Sequence, residues 1–146
     1  MLIGAMQQFI EFVVNHWVLW SLFTGLLVAL VWNLLAERMG GIPQLGPLEA
    51  TRLINDEDAA VIDLRGEAAF RKGHLLNAIN IPAGELERRM NELERLREKP
   101  VILSCETGPA AIAAARRLRQ AGFARVHVLR GGIAAWRSAG LPLAKA

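Results

Sequence analysis

The chain has 146 residues, 53% of them hydrophobic, and 17 Lys and Arg against 14 Asp and Glu give a net charge of +3. That apolar content rules out a disordered tail, and the length allows one modest domain. A single cysteine excludes an internal disulfide and any multi-cysteine zinc site, and the lack of tyrosine excludes phenol chemistry.

The charges are unevenly spread. All Lys and Arg residues lie at Arg38 or beyond, and Glu11 is the sole acid before Glu37. Residues 1–11 read as a short N-terminal tail. Gln7, Gln8, Glu11 and Asn15 form a polar stripe beside Leu2, Ala5, Met6, Phe9, Ile10 and Val13. The stripe fits either an interfacial helix or the frayed start of a spanning one.

Residues 12–36 contain no Asp, Glu, Lys or Arg, and about 20 apolar residues suffice to cross a bilayer. Trp17 and Trp20 sit near one end and Trp32 near the other, where indoles settle at membrane interfaces. A cleaved signal peptide would need a basic start, a shorter apolar core and a small-residue cleavage site, so an uncleaved single-pass anchor in the lipid bilayer is expected. Arg38 and Arg52 follow the span and no Lys or Arg precedes it, which predicts that the body faces the cytoplasm. A reducing cytoplasm also suits an unpaired cysteine. Ser21, Gly25, Ala29 and Asn33 recur every four residues, a small and polar helix face suited to a membrane-protein partner or a second copy of the chain.

Residues 37–47 read as a linker, because Gly40, Gly41, Pro43, Gly46 and Pro47 oppose a continuing helix. Residues 48–146 then form the body, where short strands alternate with helices. Ala59–Arg65, Ile79–Ile81, Val101–Ser104 and Val126–Leu129 are the predicted strands. Leu86, Met90 and Leu93 predict an amphipathic helix with Glu85/Arg89 and Glu92/Arg95 on its outer face. A second helix is expected from Ala110 to Ala121, stopped by Gly122, with Arg116, Arg117 and Arg119 offsetting its dipole. This alternation predicts an α/β domain on a parallel sheet. The body's basic residues interleave with Glu and lack stacking aromatics, so no nucleic-acid partner is expected. His127 alternates with valines and reads as structural, and His16 reads as interfacial.

Chemistry converges on Cys105, which directly follows the strand Val101–Ser104. Gly108 suits an N-cap and Pro109 the first helical position, so the thiol is expected to face a helix N-terminus. Backbone N–H groups there stabilise a thiolate and cradle an anion, and parallel sheets place ligand sites at the carboxyl ends of strands.

Several segments carry a family resemblance in order and spacing. They are Val61–Phe70, Gly73-His74, Asn77–Pro82, the Cys105–Gly108 loop, Leu118 with Ala121–Phe123, Val128–Trp136 and Gly140–Pro142. Together they resemble a single rhodanese domain. With the apolar head, the chain is similar to the membrane-tethered rhodanese-like proteins of Gram-negative bacteria.

The resemblance implies a five-stranded parallel sheet flanked by helices, an inner-membrane location, and sulfurtransferase activity without a cofactor or metal. It implies that Cys105 carries sulfane sulfur as a persulfide, taken from a small donor and passed to a thiol, cyanide or a protein cysteine. The persulfide anion would meet the N–H groups of Glu106, Thr107, Gly108, Ala110 and Ala111. Asp63, Arg65 and His74 match framework positions that support the loop.

The loop also departs from the family, which places Arg five residues after the cysteine, followed by Ser or Thr. Here those positions are Ala110 and Ala111, and Glu106 adds an anion beside the thiol. Losing that Arg removes a charge-assisted contact of about 1.5–3 kcal/mol to a dianion, so weak thiosulfate activity is expected. A phosphatase on the same fold needs Arg at the position of Ala111, and a dithiol redox enzyme needs a second cysteine; neither fits. The competing reading is a weakly active rhodanese-fold module that binds an inner-membrane protein.

Overall fold

The computed structural model describes residues 1–145; the side chains of residues 37–40, among them Arg38, lie outside the described set, as does Ala146. The chain divides into two units, Met1–Gly41 and Ile42–Ala146.

The first unit is two helices, α1 (Leu2–Asn15) and α2 (Trp17–Gly40). They are separated at His16, whose backbone at φ −119° and ψ 30° leaves the helical region. The apolar run 12–36 is therefore divided: residues 12–15 belong to α1 with the polar stripe, and α2 runs on through Gly40 into the expected linker. His16 Nδ1 lies 3.0 Å from the Phe12 carbonyl, and Phe9 meets Trp20 edge-on at 6.5 Å across the break. Along α2, Trp17–Ala36 has a mean hydropathy of 2.0 with no part of it buried, long and apolar enough to cross a membrane. The hydroxyls of Ser21 and Thr24 donate back to the Val18 and Trp20 carbonyls, which satisfies them within their own helix.

The second unit is a five-stranded sheet, β1 (Gln44–Leu45), β2 (Ala60–Asp63), β3 (Ile79–Asn80), β4 (Val101–Ser104) and β5 (Val126–Leu129). Every pairing is parallel, in the order β1-β5-β4-β2-β3. Alternation along the strands sends neighbours to opposite faces. Ile62 and Leu103 pack with Ile81, Leu86, Leu93 and Leu118 on one side; Val61 and Ile102 pack with Leu75, Leu129, Ile133 and Trp136 on the other. Among the described residues, α3 (Pro47–Glu57) and α6 (Gly132–Ser138) pack on the Ile102 side and α5 (Pro109–Gln120) on the Leu103 side, while α4 (Glu67–Lys72) contributes no buried residue.

Two expectations are corrected. The expected linker contains β1, whose Gln44 and Leu45 pair in register with Val128 and Leu129. The amphipathic helix expected around Leu86–Leu93 is instead two 3-10 segments, Ala83–Glu85 and Met90–Leu96. Met90, Leu93 and Leu96 recur every three residues, which puts them on one side of a three-residue turn. Arg89 still bridges Glu85 and Glu92 along the outer side.

Candidate active site around Cys105

The central strand β4 ends at Ser104, fully buried, and delivers Cys105 into the turn before α5. Gly108 caps α5 with φ 121°, a conformation open to glycine, and Pro109 takes the first helical position. The Gly108 N–H donates to Cys105 Sγ at 2.9 Å. Cys105 is buried, with 6% of its surface exposed.

The other face of the loop is held by α6. Ile133 N–H donates to the Cys105 carbonyl at 2.9 Å and Ala134 N–H to the Glu106 carbonyl at 3.2 Å. Gly132 makes this approach possible: with φ at 61°, a Cβ there would lie 2.3 Å from the Cys105 carbonyl oxygen. These two hydrogen bonds satisfy the carbonyls of the turn and tie its backbone to α6.

Asp63 and Arg65 form a buried pair at the end of β2. Asp63 Oδ1 accepts from Arg65 N and Nε, both at 3.0 Å, and Oδ2 accepts from Nη2 at 2.8 Å. Arg65 Nη2 also donates to the Gly73 carbonyl at 2.6 Å. Burial opposes the guanidinium charge, but the Asp63 hydrogen bonds and the charges of Asp63 and Glu106 outweigh it and hold Arg65 above its ordinary range. Arg65 Nη1 reaches toward the cysteine loop and lies 3.5 Å from Glu106 Oε2.

The framework residues thus divide. Asp63 and Arg65 connect to the loop through Glu106, whereas His74 stacks on Phe70 at 3.8 Å and pairs through its backbone with Ala144. Thr107 and Ala110 are exposed at the loop surface and Ala111 is fully buried. Two further residues belong to the site: Gly132, and Arg137, whose Nη1 lies 3.4 Å from Glu106 Oε1. The Gly131-Gly132 pair was a visible signal for the first. Nothing local to Arg137 marks it, since its partner is 31 residues away.

A parallel α/β domain with a capped cysteine at the carboxyl end of its central strand defines a cysteine-loop protein of the rhodanese class. The rhodanese-like domain family matches residues 47–139, and the chain belongs to that family. It is 39% identical over 141 residues to the uncharacterized protein YibN of Escherichia coli K12, covering 96% of this chain and 99% of that one. A sulfurtransferase of Allochromatium vinosum is 36% identical over 92 residues, covering 63% of this chain and 84% of its own. Among solved structures, a rhodanese-related protein of Thermoplasma volcanium superposes with a TM-score of 0.64 at 28% identity, over 70% of this chain and 97% of that one.

Proposed function

We propose that this protein is a membrane-anchored sulfurtransferase that carries sulfane sulfur as a persulfide on Cys105. The observation that carries the reading is the Gly108 N–H aimed at Sγ from the first turn of α5, a donor suited to a thiolate or to the persulfide anion that replaces it. The sulfurtransferase of Allochromatium vinosum, 36% identical, supports the reaction class.

In the loading step the Cys105 thiolate attacks the terminal sulfur of the donor. With a persulfide donor RS–SH, the S–S bond breaks and RS⁻ leaves with the electron pair; with thiosulfate, sulfite leaves. An acceptor thiolate then attacks the outer sulfur of the Cys105 persulfide and releases Cys105 as thiolate. Within this loop, N–H groups of Glu106, Thr107, Ala110 and Ala111 would supplement Gly108. No basic side chain stands between Cys105 and Ala115, which favours a monoanionic or neutral persulfide donor over thiosulfate.

The apolar α2 supports anchoring in the inner membrane, and the Lys/Arg asymmetry supports a cytoplasmic body. Ala110 and Ala111 in place of basic and hydroxyl side chains favour a second reading, a rhodanese-fold module with little turnover that binds a membrane protein through its span or its loop surface.

Intact-mass spectrometry of the full chain in detergent separates the two. Cys105 is the sole thiol, so incubation with glutathione persulfide should add about 32 Da, removed by dithiothreitol and absent in Cys105→Ser. No gain from glutathione persulfide or thiosulfate would overturn the carrier reading in favour of the binding module.

A further inference from the structure

Glu106 is the residue next to the nucleophile, yet its side chain is held by two arginines from different parts of the fold. Oε2 lies 3.5 Å from Arg65 Nη1, at the end of β2, and Oε1 lies 3.4 Å from Arg137 Nη1, in the last turn of α6. The three groups differ in burial. Arg65 is 5% exposed and immobilised by Asp63 and Gly73, whereas Glu106 and Arg137 are about half exposed, at 54% and 47%. Arg65 Nη1 is itself buried without a full hydrogen bond among the described residues, the Glu106 oxygen standing at 3.5 Å, the limit of hydrogen-bonding reach. Buried polar groups are normally hydrogen-bonded, so Nη1 keeps unused donor capacity on the side that faces Glu106.

We infer that Arg65 Nη1 and Arg137 form an anion-binding site beside Cys105, and that Glu106 is its internal occupant, a carboxylate latch that an anionic sulfur donor must displace. This rests on the proposed sulfur-carrier reading and deepens it by naming what selects the donor. The ligand class is a donor with a carboxylate or sulfonate oxygen pair that can bridge the two guanidinium groups. Both ion pairs are long and two of the three partners are half in solvent, so the latch is weak enough to open. While closed, Glu106 repels a dianion. Once open, the site supplies the positive charge that the loop itself lacks.

Charge selection at the thiol can be read without any sulfur chemistry. Iodoacetate and iodoacetamide alkylate the same sulfur and differ in charge. The ratio of their rate constants on the full chain in detergent, divided by the ratio for free N-acetylcysteine, isolates the field at Cys105. Glu106→Gln should raise that ratio about fivefold, and adding Arg137→Gln should abolish most of the gain. A ratio unmoved by Glu106→Gln overturns the latch. A gain that persists undiminished in the double variant also overturns it, since removing a negative charge would then suffice and Arg137 would receive nothing. Loading by thiosulfate relative to the persulfide of 2-mercaptoethanol, which carries no carboxylate, measured by intact mass, should follow the same order of variants. Should neither donor load the wild type while the alkylation ratios move as stated, the sulfur-carrier reading falls and the anion site stands.

Discussion

Gly132 sits so close to Cys105 that its missing side chain is part of the site. A Cβ at Gly132 would lie 2.3 Å from the Cys105 carbonyl oxygen and 2.6 Å from that of Glu106, and the backbone there has φ 61°. Both obstacles are backbone atoms that α6 holds by hydrogen bonds to Ile133 and Ala134, so no side-chain rotation relieves them. Gly132→Ala should therefore cost about 2 kcal/mol or more of stability. It should also accelerate Cys105 alkylation as the loop separates from α6. Gly84→Ala, at an exposed position with open space and no positive φ, is the control and should fall within about 0.5 kcal/mol of wild type in urea unfolding.

Arg65→Met should destabilise the second unit by about 3–5 kcal/mol, because it leaves the fully buried Asp63 carboxylate without its guanidinium. Combining it with Asp63→Asn should recover part of that loss, since an amide is cheaper to bury alone than a carboxylate. Denaturant midpoints of the two single variants and the double form the cycle that checks this; strict additivity would mean the pair is not coupled.

Restoring a cation to the loop should restore thiosulfate use. Ala110 is exposed at the first turn of α5, so Ala110→Arg adds a guanidinium without displacing core atoms. A charge-assisted contact to the dianion should raise the thiosulfate loading rate about tenfold. Intact-mass time courses read the change, and an equal gain with a neutral persulfide would show that the added charge acts on Cys105 and not on the donor.

His127 should make stability depend on pH. Burial, then the charge of Arg125, push its imidazole below the ordinary value of 6.5, and neither ring nitrogen has a hydrogen-bond partner among the described residues. The unfolded chain takes up a proton near that value while the folded chain does so only at lower pH, so the unfolded state binds more protons in between. Stability is then lost as pH falls below about 6.5 and is unaffected by this group at higher pH. His127→Leu should flatten the pH dependence of the urea midpoint between pH 7.5 and 5; a slope identical to wild type would assign it to other groups.

How much of this was legible from the residues depends on the range of the forces involved. Val101–Ser104 and Val126–Leu129 are read to the residue because buried parallel strands are apolar on both sides. The start of α5 follows from Gly108-Pro109, and its end before Gly122 from a glycine at φ 98°. Cys105 in a capped turn, and a following helix without a loop arginine, are equally local facts. By itself the sequence thus determined the apolar head, the α/β alternation and the place of Cys105 in the turn after β4, since each depends on contacts within a few residues. Tertiary structure decided the rest. Gln44-Leu45 becomes a strand through pairing with β5, more than 80 residues away, which overrides the glycines and prolines around it. The predicted helix at Leu86–Leu93 is replaced by 3-10 segments with Leu86, Leu93 and Leu96 buried in the core, and the apolar run is broken at His16, where Phe9 meets Trp20 edge-on. The Glu106 carboxylate meets Arg65 and Arg137 for the same reason. Long side chains from three elements converge at the end of the sheet, and no local pattern records which charges the fold will bring within 4 Å of one another.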